Sequence, residues 1–331
     1  MTLFGRVELC KTHLLQHQAF KITMYMQSLI GVLAQDAVFD GASQLLKKLL
    51  GIDLSAKQIQ RVSQWYGSQI DPIVQANHTE YMPQLEPVKN KEEHTYVMVD
   101  GSMLFTREEK WKENKLARIF HESQNVGIQP NRNEIVDTVY VSHLGSIKEF
   151  LPKVERHLSG VKNKKVFVAD GAKWIWNWVE DNYPGAIQIL DYYHAVEKIE
   201  LIAKYQFVNI DQRKNWLDVQ KSLLLNDQVY QVISNIKKLK SKNQNVVQAK
   251  QTALNYYEEH EDRMLYKTYK DKGLLIGSGP IEAAHRNVIQ QRLKLSGQKW
   301  TIKGAQAIAN LRCYHKSGAW NIIDNLIRMA A

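Results

Sequence analysis

Three apolar runs in the sequence end in an aspartate. TYVMVD (Thr95–Asp100) and KVFVAD (Lys165–Asp170) are each followed by glycine, and AIQILD (Ala186–Asp191) is followed by two tyrosines. Ligands of open α/β sheets bind beyond the carboxyl ends of the strands. A carboxylate placed there is aimed by the strand and reached by solvent. Two such carboxylates side by side repel one another unless cations bridge them, and hard Mg²⁺ ions, or Mn²⁺ in their place, meet that need with oxygen ligands. Asp-Gly is also a common turn, so either dipeptide alone says little. Both on strands of one sheet point to metal binding. A third acid, Glu282, stands in GSGPIE (Gly277–Glu282), where Pro280 suits the first helical position, Gly279 the N-cap, and Glu282 the third residue of the first turn. The helix dipole favours a glutamate there in any case, and His285 and Arg286, three and four residues on, offer it a salt bridge.

The balance of charge suggests the partner. The chain has 331 residues, with 44 Lys+Arg against 34 Asp+Glu, a net charge of +10. That excess favours a polyanion, nucleic acid first. It is concentrated: from Gly277 to Ala331 there are eight basic residues against Glu282 and Asp324. Arg286, Arg292 and Lys294 continue the glutamate helix and either hold phosphates near the acids or form a plain basic surface. Two cysteines, Cys10 and Cys313, exclude a disulfide framework and read as reduced thiols. No apolar run is clean enough for a secretory signal or a membrane span, so a cytoplasmic, nucleoid-associated protein is expected. Cys10, His13 and His17 have ligand-like spacing but no fourth ligand, and are not expected to hold zinc. Trp174, Trp176 and Trp178 read mainly as core.

The elements that must position these residues follow from periodicity. Residues 1–90 read as helices. Apolar residues recur at helical spacing up to Leu50, Gly51 is a stop, and Ser55 to Gln58 form a capping box that opens a helix burying Ile59, Val62 and Trp65 or Tyr66. Lys57, Gln60, Arg61 and Gln64 would be exposed on it. Two helices about a short glycine turn make either a helix-turn-helix that reads DNA or an ordinary αα-corner. Pro83 to Glu93 reads as a linker. Residues 91–194 then run strand, strand, strand, helix, strand, helix, strand, an α/β layer with a mixed sheet. Residues 195–272 show helical patterning alone, and residues 273–331 hold the glutamate helix and further helices.

VDG at Asp100, VADGAKWI at Asp170, DYYH (Asp191–His194) and GSGPIEAAHRNVIQQRLKLSGQKW (Gly277–Trp300) together resemble the DDE transposases of bacterial insertion sequences, in particular the Kra-type group, distantly Mutator-like. The resemblance spans roughly Ala42 to Tyr314, and the Gly277–Trp300 block is its most specific part. It implies a ribonuclease H-like five-stranded mixed sheet flanked by helices, with a helical insertion before the glutamate helix. It implies a metal triad of Asp100, Asp170 and Glu282. It gives Asp191 and His194 a part in positioning or DNA contact, Asp170 rather than Asp191 being the nearer ligand because its strand neighbours that of Asp100. The implied activity is metal-dependent strand cleavage and transfer on double-stranded DNA, as a homo-oligomer on the transposon ends. A DNA-binding remnant without catalysis and a nuclease that cleaves without joining are the rival readings. Relatives carry a paired-cysteine segment ahead of this region. Its absence here suggests missing upstream sequence.

Overall fold

The computed structural model describes residues 16–17, 20–88, 90, 92–130 and 132–330. The cysteine–histidine group at Cys10, His13 and the His17 side chain lies outside the described residues.

Five strands form the central sheet: β1 (Thr95–Thr106), β2 (Lys110–His121), β3 (Val139–Leu144), β4 (Lys165–Ala169) and β5 (Ile187–Leu190). Their order is β3-β2-β1-β4-β5. β1, β2 and β3 pair antiparallel, whereas β4 runs parallel to β1 and β5 parallel to β4. With helices on both faces this is the ribonuclease H-like arrangement. The mixture follows from connection length: the Arg107–Glu109 turn can only reverse the chain, while α4 (Ile147–Leu158) and α5 (Lys173–Asn182) are crossovers that return it parallel. Tyr96, Met98, Phe120, Phe167 and Val168 are among the sheet residues with 1% exposure or less, as expected where both faces are covered.

Three helices precede the sheet: α1 (Met24–Asp36), α2 (Phe39–Leu50) and α3 (Ala56–Gln75). Gly51 ends α2 in the left-handed conformation (φ 68°), and Ser55 caps α3 by accepting from the Gln58 amide at 3.2 Å. Ile59, Val62 and Tyr66 are buried as the period requires. α3 does not stand apart from the sheet layer, however. It packs along α13 (Ile302–Lys316), which lies in turn against β3. The approach is closest at Gly67, where a Cβ would fall 2.1 Å from the Ala307 carbonyl oxygen. Asn310 fixes the crossing by donating to Gly67 O and to Asp71, and Asp71 also pairs with the buried Lys153 of α4 at 2.8 Å.

Between β5 and the glutamate come α6 (Tyr192–Gln206), α7 (Ile210–Leu225), α8 (Val229–Lys238), α9 (Gln244–His260) and the short α10 (Tyr266–Asp271). α6 packs against α7 and α9, so these helices grow directly out of the sheet's last strand. The final segment runs through α11 (Gly279–Ala284), a π-helical turn (His285–Gln290), α12 (Gln291–Leu293), α13 and α14 (Trp320–Met329). The Asn125–Gln129 and Arg132–Ile135 hairpin, which sequence patterning passes over, projects between β2 and β3. Trp176 and Trp178 are core residues, and the half-buried Trp174 packs edge-on to Phe150.

Gly67→Ala tests the α3–α13 contact. Its methyl group would meet backbone that cannot move aside, so stability should fall by about 1–3 kcal/mol, the usual cost of overpacking. The midpoint of a denaturant titration measures it, and an unchanged midpoint would show the two helices able to slide apart.

Candidate active site

Register places the acids. The last β1–β4 pair is Met98 with Val168, and the last β4–β5 pair is Ala169 with Leu190. Two residues past the first of these come Asp100 and Asp170. One residue past the second come Asp170 and Asp191. The three aspartates therefore stand in a row across neighbouring strand ends, spaced by the roughly 4.8 Å between strands. Sequence reading put Asp100-Gly101 in a turn. In the structure β1 continues through it to Thr106, still paired with β2. Asp100 lies inside a long strand that β4 has already left, so one side of it is open. A Cβ on Gly101 would fall 2.2 Å from Glu113 Oε1 on β2, so a larger residue there would have to displace that side chain.

The aspartates differ in their surroundings. Asp191 is fully buried and forms the N-cap of α6. Its Oδ1 accepts from the Tyr193 and His194 amides at 2.5 and 3.0 Å, and its Oδ2 from the Ser278 amide at 2.6 Å. Burial alone would raise its pKa, but the bonds from His194 and Ser278 outweigh it and hold the carboxyl below the usual range. Asp170 accepts from the Ala172 amide at 3.0 Å, and its own carbonyl receives the Trp176 indole N–H at 2.8 Å. Asp100 is pushed above the ordinary aspartate value by burial, against the pull of His285 and the Gly101 amide, with Asp170 adding to the rise.

Glu282 comes from α11. Its N-cap is Ser278 rather than the expected Gly279, which shifts the glutamate to the fourth helical position. Arg118 of β2 donates to Pro280 O at 2.9 Å and holds this helix over β1 and β2. Glu282 is exposed and accepts weakly from Ser278 Oγ at 3.3 Å. Its carboxylate, the His194 ring and Asp191 offer ligand atoms all within 4.8 Å of one another, the one such constellation among the described residues. Thus the expected trio is brought to one end of the sheet, but in this geometry Glu282 gathers with Asp191 and His194, while Asp100 and Asp170 form the neighbouring pair. His194 is pushed up to about 9 by Asp191, 3.5 Å away, with burial opposing. Asp191 already accepts three amide bonds, so the cluster offers a cation the His194 ring, the Glu282 carboxylate and what remains of Asp191.

Several contributors were not foreseen. His285 was read as a salt-bridge partner of Glu282. It is buried instead, with Nε2 3.6 Å from Asp100 Oδ2, and burial lowers its pKa. From α9 come Tyr256 and His260. A Cβ on Gly171 would lie 2.2 Å from the Tyr256 ring and 3.1 Å from His260 Nε2, so the residue after Asp170 must be glycine for the helical segment to seat there. Burial, then Asp170 and Asp191, raise the Tyr256 phenol above its ordinary range. Only the glycine hinted at this in the sequence. α9 itself offers no local sign of what it will touch.

The expected DNA contacts divide. Lys57, Gln60, Arg61, Arg286 and Lys294 are exposed, with Arg61 set over the Phe20 ring. Gln64 is half-buried and turned toward Gly304 of α13. Arg292 departs most: it is 1% exposed, donates to Ala34 O at 3.0 Å and stacks on Phe39 and Trp300. Arg312, counted in the basic C-terminal excess, is also buried, bonded to the Gln35, Asn287 and Val288 carbonyls. Two of those carbonyls belong to the π-helical turn, and Arg292 falls on the same buried face as Ile281, Val288 and Ile289. Cys313 is buried, its thiol pushed up to about 12 by that burial.

No protein family and no curated protein matches the chain. Among solved structures it is similar to a chain of the Drosophila P element transposase strand transfer complex, at 11% identity and a TM-score of 0.33, with 90% of this chain and 80% of that chain covered. A likeness that distant carries no weight for the chemistry. Among the described residues no helix is long and apolar enough to cross a membrane.

The His194–Asp191 pair sets a pH signature. A raised imidazole pKa contributes stability in full below the unfolded value near 6.5, and that contribution is lost as the pH climbs through about 9. An NMR titration in chelator should find His194 protonated at pH 7.5, and Asp191→Asn should return its midpoint toward 6.5. A midpoint near 6.5 in the unaltered chain would mean that the pair is not formed.

Proposed function

We propose that the chain is a metal-dependent DNA transposase that cleaves and rejoins strands at the ends of a mobile element, with Asp100, Asp170 and Glu282 as metal ligands. What supports this reading is that Asp100, within β1, and Asp170, just past β4, each stand two residues beyond the last β1–β4 pair, with Glu282 on a helix packed over β1 and β2. The donor set suits a hard cation: carboxylate oxygens, with Asp100 raised by burial and by its neighbour's charge, a condition a divalent ion would relieve. A pair of bound Mg²⁺ ions would supply activation of water or a 3′-hydroxyl and stabilisation of the leaving oxygen. Asp100 and Asp170 hold the site's negative charge in fixed directions. Glu282, on an exposed first turn, can swing between the His194 side and the aspartate pair. Asp191 anchors the base of that turn by accepting from the Ser278 amide. The protein needs no covalent nucleophile of its own.

Double-stranded DNA is the partner that the charge favours, reached through Arg286 and Lys294 beside the acids and through Lys57, Gln60 and Arg61 on α3. Assembly as a homo-oligomer on transposon ends belongs to the same proposal.

Two experiments bear on it. Asp170→Asn should keep the fold and DNA binding and lose Mg²⁺-dependent cleavage by more than about 10²-fold, since loss of a partner behind the ligands already costs about 10–100-fold. His194→Gln should fall within that smaller range. Cleavage that survives Asp170→Asn would move the chemistry elsewhere, and strand-transfer products on a gel separate a transposase from a simple nuclease. For binding, Arg286→Ala with Lys294→Ala should lower the slope of log affinity against log salt by about 0.9 per residue. Replacing Gln60 and Arg61 should instead erode preference for element ends over random duplex. An unaltered slope would make the basic face mere solvated surface.

A further inference from the structure

Arg292 is a buried cation without an anion. Beyond its bond to Ala34 O, the guanidinium has only ring faces, 4.8 Å from the Phe39 centroid and 5.0 Å from that of Trp300. Its Nη2 is buried with no hydrogen-bond partner. Among the described residues no carboxylate pairs with it. Asp36, whose charge reaches it, lies 3.4 Å from Arg312 instead. A second orphan lies close by: Nε2 of Gln64 is also buried and unpartnered. Each is a buried donor that water or a ligand would satisfy.

Both residues border one cavity of about 210 Å³, together with Gln60, Arg107, Lys299 and Trp300. Arg107 and Lys299 are exposed at its rim, and no acidic residue lines it. Three cations and three amides, Gln298 being the third, with no carboxylate form a receptor for an oxyanion, and a guanidinium fork matches phosphate oxygens in pairs. At roughly 30 Å³ per water the space holds several waters, and hence a tetrahedral anion. The depression of the Arg292 pKa to about 10, by burial and then by Arg312, fits a cation lacking its counter-charge. The end of α13 is not among the donors, since Thr301 Oγ1 already accepts from Gly304 N, and Glu108 from Ile302 N.

We propose that this cavity is a phosphate-binding site, distinct from the acidic cluster, in which Arg292 and Gln64 form the floor and Arg107 and Lys299 the rim. The phosphate is either part of a nucleic-acid backbone or a mobile ligand. Only the first source rests on the function proposed above. Trp300 is tied to the end of β1, with the Arg107 amide donating to its carbonyl at 2.8 Å. β1 runs from Asp100 to that point, so the two sites are roughly 20 Å apart along the strand. A duplex advancing 3.4 Å per base pair would cover that span in about six base pairs.

Thermal unfolding of the full chain with inorganic phosphate tests the site, with chloride at matched ionic strength as control. Phosphate should raise the midpoint in a saturable way and chloride should not. Gln64→Leu and, separately, Arg107→Gln with Lys299→Gln should each weaken the phosphate response at least tenfold while circular dichroism shows the fold intact. These variants spare Arg292, whose loss could unfold the chain. Equal effects of phosphate and chloride, or variants that respond like the unaltered chain, overturn the proposal. A duplex oligonucleotide separates the sources. If saturating duplex abolishes the phosphate response, the site takes a backbone phosphate. If the response persists on the DNA complex, or in a chain that binds no DNA at all, it takes a mobile one. In that last case the oxyanion site stands while the transposase reading fails.

Discussion

The Asp191 carboxylate, fully buried and bonded to three backbone amides, is the joint on which the site depends. An isolated carboxylate in an apolar interior is costly, and one that satisfies its oxygens with amide hydrogens is stable as an anion. Two of those amides begin α6, and the third, of Ser278, lies 87 residues further on at the threshold of α11. A single side chain thus starts the helical excursion and fastens the point to which it returns. Glu282 can be placed beside the strand ends only because the chain, after five intervening helices, is caught again there. The Arg118 bond to Pro280 O provides the second fixed point, from the opposite side of the sheet.

The helical excursion is more than a spacer. Tyr256 and His260 come back from α9 to lie against Gly171, and the Tyr257 hydroxyl donates to Ala195 O at 2.6 Å. The wall beside Asp170 is therefore made by residues far from it in the chain. The three N-terminal helices stand in the same relation to the other flank, since α3 is fitted to α13 at Gly67 and α13 to β3. Whatever these helices contact outside the protein, they are packed as part of one body with the sheet.

Much of this architecture was legible in the sequence, because it rests on local chemistry. Apolar runs ending in aspartate marked β4 and β5 with errors of about a residue, and Ser55 and Gly51 fixed helix ends, whereas the capping role of Asp191 came only with the structure. Illegible features depend on contacts between distant residues. Asp100-Gly101 looks like a turn because nothing nearby shows that β2 will pair with β1 through Thr106. His285 and Arg292 fall on the apolar face of an α-helical wheel, with Ile281, Val288, Ile289 and Leu293, and read as surface residues only because of their polar chemistry. That Glu282 lies near Asp191 and His194 is likewise a matter of side-chain geometry, on which spacing is silent.

The π-helical turn has a consequence for how the chain tolerates length changes. From Gly279 to Leu293 the backbone is one helical rod with a surplus residue stored in its middle, at His285–Gln290. Each residue of an α-helix advances the side chains by about 100°. Losing one residue there would restore an even rod but rotate everything beyond it by that angle relative to Glu282. Arg292 would leave its seat between Phe39 and Trp300, and Arg312 would find no freed carbonyls to fill. In its present phase one rod presents an acid near the strand ends and, ten residues on, an arginine to the interior between Phe39 and Trp300. Substitutions in this segment keep that phase, whereas a single deletion breaks it.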